Sequence, residues 1–106
     1  MYKTAEIVVV GSEFFSRDKR DTNSIYLTEE LEKRGIRVLS KSVVADDLEE
    51  LTRVVKQGLS AVDLVISIER AGRGRRVKDV INVEGFNGTR YQTEHYAQIY
   101  EDIHAA

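Results

Sequence analysis

Residues 6–27 read EIVVVGSEFFSRDKRDTNSIYL. Glu6-Ile7-Val8-Val9-Val10 is a β-branched run closed by Gly11, the pattern of a strand buried on both faces, as central parallel strands are. A Gly-Ser-Glu turn and a polar loop follow. Asp21-Thr22-Asn23-Ser24 then offers several N-caps for a helix whose apolar positions are Ile25, Leu27 and Leu31. Lys33 and Arg34 put cations at its C-terminal end, and Gly35 can turn left-handed to stop it. Strand, glycine turn and helix are the opening of an α/β fold.

The pattern repeats outward. Residues 36–44 (IRVLSKSVV) return to strand character. Asp46-Asp47 caps a second helix with Leu48, Leu51, Val54 and Val55 on one stripe and Gly58 near its end. Residues 62–69 (VDLVISIE) read as a third strand. With right-handed crossovers, this βαβαβ unit is a parallel core of spatial order 2-1-3. After Glu69 the rhythm changes to a basic turn, Arg70–Arg76. Strands are then predicted over 77–84 and 89–94, around Gly85-Phe86-Asn87-Gly88, where Asn-Gly between two β-like runs signals a hairpin. Tyr96, Ile99, Tyr100 and Ile103 recur at i, i+3, i+4 and i+7, which predicts a short C-terminal helix. The expected fold is therefore α/β: a βαβαβ parallel core extended by an antiparallel β-hairpin and a short helix, one domain over 1–106.

Composition narrows the function. A chain of 106 residues leaves no room for two independent cores. A net charge of −2 gives no reason to expect a nucleic acid or a membrane surface as partner. No apolar stretch approaches the ~18 residues of a membrane span and no secretory signal is visible, so a cytoplasmic location is expected. The absence of cysteine excludes disulfides, cysteine–zinc sites and thiol nucleophiles.

Open α/β sheets bind ligands at the carboxyl ends of their strands, where the strand order reverses. With order 2-1-3 that point lies beside the first strand, at Gly11-Ser12-Glu13. Gly11 lets backbone approach a ligand, Ser12 offers a hydroxyl, and Glu13 can accept hydrogen bonds. The N-terminus of the first helix adds free N–H groups that favour a phosphate. The same residues admit a purely structural reading, in which Gly11 permits a tight turn and Ser12 caps it. Arg70, Arg73, Arg75 and Arg76 read as a solvated turn rather than a nucleic-acid patch, since no aromatics interleave them. His95 and His104 lack metal-ligand spacing. Tyr91, Tyr96, Tyr100 and Phe86 read as aromatics covering the core, and Asp46 and Asp47 as helix caps.

Residues 1–67 resemble the first half of the molybdopterin-binding domain of MoaB and MogA proteins, in the branch of the competence/damage-inducible protein CinA. The likeness is carried by AEIVVVGSEFF, DTNSIYLTEELEKRGIRV, SVVADDLEELTRVV and DLVIS. It implies that Gly11, Ser12 and Glu13 sit at a ligand pocket with Asp21, Thr22 and Asn23 at its mouth. For CinA-like members it implies metal-assisted pyrophosphate cleavage of ADP-ribose. The chain departs from that family after DLVIS. A Thr-Gly-Gly-Leu-Gly-Pro-Thr loop and a pair of aspartates are replaced by Ile68-Glu69-Arg70-Ala71-Gly72-Arg73. Residues 61–104 resemble instead the C-terminal tail of TrbB-type conjugal-transfer ATPases, through AVDLVISIER and GRRVKDVINVEGFNGTRYQTEHYAQI, without any phosphate-binding G-x-x-x-x-G-K-[ST] motif. The two likenesses overlap at 61–67. Together they imply a recombined, artificial scaffold with a vestigial pocket, no catalysis, no cofactor and no metal, and with self-association into a homodimer through poorly covered edges. The alternative is a molybdopterin/CinA-like domain that binds or cleaves a nucleotide diphosphate such as ADP-ribose.

Overall fold

The β-branched run at the start of the chain forms strand β1 (Thr4–Val10), in which Ile7, Val8 and Val9 are wholly buried. The structure, a computed structural model, describes residues 2–11, 19–72, 74–76 and 78–105, with backbone alone at 19–21, 74 and 105. Helix α1 (Lys19–Lys33), strand β2 (Arg37–Val44), helix α2 (Leu48–Leu59) and strand β3 (Leu64–Ala71) complete the βαβαβ unit. A single 3₁₀ turn over Gly74–Arg76 leads into β4 (Lys78–Gly85), β5 (Arg90–Thr93) and helix α3 (Tyr96–Ala105). The five strands form one sheet in the order β2-β1-β3-β4-β5. β1 pairs in parallel with β2 and β3, whereas β4 is antiparallel to β3 and to β5. The fold read from the sequence is thus the fold observed, and the hairpin extends the sheet beside β3.

Strand alternation sorts the core into two clusters. Ala5, Ile7 and Val9 of β1, Leu64, Ile66 and Ile68 of β3, and Ile81 and Val83 of β4 point to one side, under Leu27 and Leu31 of α1 and Ile99 and Ile103 of α3. Val8, Val10, Val44 and Val65 point to the other, where Leu51, Val54, Val55 and Leu59 of α2 cover them. Arg34 ties α1 to α3: it donates to the Glu30 carboxylate at 2.7 Å and its guanidinium lies 4.5 Å from the Tyr100 ring centroid.

Three local expectations are corrected. Asp21-Thr22-Asn23-Ser24 does not cap α1, because the helix already begins at Lys19. Ser24 is fully buried and shares the inner stripe with Leu27 and Leu31, so Ile25, one position on, faces solvent at 51% exposure. Leu48 is likewise exposed, at 79%, because it directly follows the cap residue and precedes the turn that reaches the sheet. That cap is Asp47, as expected, whose carboxylate accepts from the N–H groups of Glu49 and Glu50 at 2.9 and 3.3 Å. Phe86 does not cover the core. It sits exposed in the β4–β5 loop, edge-on to Tyr2 with centroids 6.1 Å apart. That loop closes through a Gly85 N–H bond to the Thr89 carbonyl at 2.8 Å, and Gly88 supplies the positive φ of 89°.

The outer edge of β2 carries Leu39 and Val43, half exposed, but its pairing register with β1 shifts between Ala5 and Glu6, and Lys41 stands mid-strand. Bulges and lysines are the usual blunting devices of an open edge.

A carboxylate is held under α2. Glu6 is 9% exposed and accepts from the Ser42 hydroxyl at 3.0 Å. Gly58 makes the room: a Cβ there would lie 2.5 Å from Glu6 Oε2 and 2.9 Å from Val65 Cγ2. Gly→Ala in a helix interior normally gains about 1 kcal/mol. Here overpacking of about 1–3 kcal/mol outweighs that gain. Gly58→Ala is expected to lower stability by about 1 kcal/mol or more, read as a fall in thermal midpoint of several degrees. Adding Glu6→Ala should recover part of the loss. A more stable G58A chain would show that α2 does not press on Glu6.

Candidate functional site

The three parallel strands end on one edge of the sheet, and the sequence brings its polar residues there. Gly11, at the end of β1 with φ 142°, donates its N–H to the Val44 carbonyl at 2.9 Å and so ties the ends of β1 and β2 together. β3 runs on to Ala71 and turns through Gly72, φ 96°, so that β4 starts on the same edge with Arg70 opposite Asp79. The N-terminal turns of α1 begin there too, since the helix follows the loop that leaves β1.

On the α1 side of this edge one carboxylate gathers three elements. Asp79 Oδ2 accepts from the Asn23 amide of α1 at 2.7 Å and from the Tyr96 hydroxyl of α3 at 2.9 Å. The Tyr96 hydroxyl is pushed far above its ordinary pKa, first by burial and then by the hydrogen bond to Asp79 and its charge, because a phenolate would face that carboxylate. On the α2 side the edge is acidic. Burial, and then the charge of Asp46, raise the carboxyl of Glu69 above its usual value. Arg75 and Arg76 stand exposed on the 3₁₀ turn between β3 and β4.

Of the residues singled out from sequence, Gly11 ends β1 and Asn23 joins the Asp79 cluster, while Thr22 is exposed on α1. Asp21 lies in the first turn of α1, its side chain outside the described residues, and Ser12 and Glu13 fall outside the described residues altogether. The sequence marks Tyr96 only as a core-covering aromatic of the last helix, and does not single out Asp79. Asp79 is one polar position of an alternating strand, and its partners lie 56 and 17 residues away. Among the described residues, no group of three His, Cys, Asp or Glu is placed to hold a metal ion. Nor is any helix of the described residues long and apolar enough to cross a membrane.

The sheet thus switches strand order beside β1, with a glycine at that strand's end and a helix N-terminus at the same edge. The family profile described as "Probable molybdopterin binding domain" matches residues 6–82. The chain belongs to that family. It is 44% identical over 62 residues to the "CinA-like protein" of Solibacter usitatus, covering 58% of this chain and 15% of that protein. To the "Probable FAD synthase" of Caenorhabditis briggsae it is 43% identical over 65 residues, 61% of this chain and 12% of that one. It is also 55% identical over 65 residues to the "Conjugal transfer protein TrbB" of Rhizobium radiobacter, 56% of this chain and 20% of that one. The chain thus spans a fifth or less of these relatives. No solved structure matches it.

The buried phenols give the fold a pH signature. Burial pushes Tyr100 up to about 12 and raises Tyr91 and Tyr96 further. In the unfolded chain all three ionise near their ordinary value of about 10. Folded pKa values above unfolded ones mean stability that is whole below pH ~10 and lost as pH climbs from there through ~12. Denaturant midpoints between pH 9 and 11.5, with tyrosinate absorbance followed in parallel, are expected to fall across that window. Tyr100→Phe should be neutral or slightly stabilising, because its hydroxyl is buried without a hydrogen-bond partner among the described residues. Uniform ionisation of all the tyrosines near pH 10 in the folded chain would refute this arrangement.

Proposed function

We propose that the chain is a ligand-holding member of the molybdopterin-binding domain family, which takes the phosphate-bearing end of a pterin or nucleotide diphosphate at the carboxyl edge of β1 without turning it over. The reading is carried by the return of β3 into β4. Where relatives of the CinA branch continue into a glycine-rich cradle and paired aspartates, Arg70 and Ala71 are here paired in register with Asp79 and Lys78. That stretch of backbone is committed to a hairpin and cannot also wrap a phosphate. What stays available is Gly11, the start of α1, Asn23 held by Asp79, and the exposed Arg75 and Arg76. N–H groups at a helix start and nearby guanidiniums suit an anion. Gly11, Ser12, Glu13, Asp21, Thr22 and Asn23 would form the near wall.

Most small-molecule sites bury 70–90% of their ligand. A one-walled site therefore binds weakly, with dissociation constants on the order of a millimolar. Titration of ADP-ribose with magnesium, followed by calorimetry and by chromatography for AMP, is expected to give shallow saturable heat and no AMP. Asn23→Ala should weaken binding several-fold. AMP release above background would overturn the non-catalytic reading, and absence of heat would remove the binding one.

The same proposal extends to origin. Proteins as different as a "CinA-like protein" and a "Conjugal transfer protein TrbB" each match little more than half of the chain. Recombination within β3 accounts for this, because a buried strand carries a generic apolar pattern in either parent. Residues 1–60 and 70–106, compared separately with known sequences, are expected to return two disjoint sets of relatives. One shared set would restore a single lineage.

A further inference from the structure

Helix α2 packs on Val8, Val10, Val44 and Val65, that is, on β1, β2 and β3. Beyond its flank, the same side of β4 and β5 turns Asn82, Glu84 and Gln92 outward. Between that flank and the strands runs a cleft of about 630 Å³, within the range of small-molecule sites. Its two walls differ in chemistry. α2 contributes hydrocarbon from Leu51 and Val55, and the floor contributes Ser67, Glu69 and Asn82.

Two floor groups are uncommitted. Ser67 is 3% exposed, yet its hydroxyl has no hydrogen-bond partner among the described residues. Its hydroxyl is therefore open to whatever enters the cleft that Ser67 lines. Glu69 is half buried and also lacks a hydrogen-bond or ion-pair partner among the described residues. The remaining charges are differently placed. Glu84 is engaged by Arg90 at 3.3 Å, and Arg90 itself is 82% exposed. Lys56 is exposed on α2 at the rim. The carboxylates are therefore the less exposed charges of the cleft, and the cations stand at its rim.

We propose that this cleft binds a small organic cation with a hydrocarbon body, an aryl- or alkylammonium. Its N–H donors meet the Glu69 carboxylate and the Ser67 hydroxyl, and its hydrocarbon lies against Leu51 and Val55. An anion would meet Glu69, with Asp46 close enough to act on it electrostatically. A bare metal ion would leave the apolar wall unused. The cleft lies on the opposite face of the sheet from the Asn23–Asp79–Tyr96 cluster, so its failure would leave the carboxyl-edge reading standing.

The test is an amide-resolved NMR titration of the full chain with benzylammonium at pH 7.5, with benzyl alcohol as the neutral control. Saturable shifts are expected at Ser67, Glu69, Asn82 and the Leu51–Val55 segment of α2. Benzyl alcohol should bind about tenfold more weakly, the discrimination given by a charge-assisted hydrogen bond. Glu69→Gln should weaken benzylammonium by a similar factor while keeping the parent spectrum. Ser67→Ala should cost about threefold, the worth of a neutral hydrogen bond. Absence of saturable shifts at those residues overturns the proposal, as does equal binding of benzyl alcohol, which would leave a greasy crevice only. Unchanged affinity in E69Q overturns it too. If E69Q loses the parent spectrum, the alcohol comparison on the unaltered chain decides alone.

Discussion

β3 is paired on its two edges in opposite senses, and the rest of the molecule is arranged around that constraint. Ala5–Val9 run beside Leu64–Ile68 in parallel, and β4 returns antiparallel along the other edge from Leu64 to Ala71. A parallel neighbour demands a long crossover, which α2 supplies between β2 and β3. An antiparallel neighbour needs only a short return, which the glycine-bearing segment after Ala71 supplies. Both pairings require a strand buried on each side. Leu64, Ile66 and Ile68 meet the α1–α3 layer while Val65 meets α2. A polar residue at any of the three inner positions would be buried without a partner, at a cost of several kcal/mol, and would loosen both neighbours together.

The antiparallel return also redraws the edge where a doubly wound sheet would place its ligand. By bringing β4 back there, it delivers Asp79, which draws Asn23 of α1 and Tyr96 of α3 onto one carboxylate oxygen. It leaves the α2 side of the same edge to Asp46 and Glu69, where burial first and then the charge of Asp46 raise the Glu69 carboxyl. The two sides of the edge thus differ: on one, the Asp79 carboxylate is met by hydrogen-bond donors, and on the other, Glu69 faces a second carboxylate. The hairpin, by returning along β3, decides which polar groups meet at this edge.

What could be read from sequence follows from range. β1, β2 and β3 are short apolar runs with glycine or polar punctuation, and their order follows from crossover handedness, so the core was legible. The hairpin was legible through Asn87-Gly88, and α3 through the spacing of Tyr96, Ile99, Tyr100 and Ile103. The start of α1 was not. Asp21, Thr22, Asn23 and Ser24 are all good caps, and local preference cannot say which, if any, is used; the helix in fact begins ahead of all four, at Lys19. The same limit hid the polar cluster. Asn23 could be nominated from its neighbourhood in the chain, whereas Asp79 and Tyr96 acquire meaning only once β4 and α3 are placed. Phe86 misled for a related reason: an aromatic at a hairpin tip reads as core, yet the sheet ends beneath it.

The unequal helix count on the two faces is the last consequence of the same pairing. After β3, a further βα unit would have laid a second helix beside α2. The hairpin sends α3 instead to the face that α1 already covers. β4 therefore alternates, with Ile81 and Val83 buried beneath the helices and Asn82 between them turned to the other side, as a sheet solvated on one face must. Ser67 pairs directly with Asn82 and lies on the boundary between the covered and the bare halves of that face. Buried by the flank of α2 but given no partner by it, Ser67 marks the line where the parallel core's demand for a covering helix stops and the hairpin's tolerance of water begins.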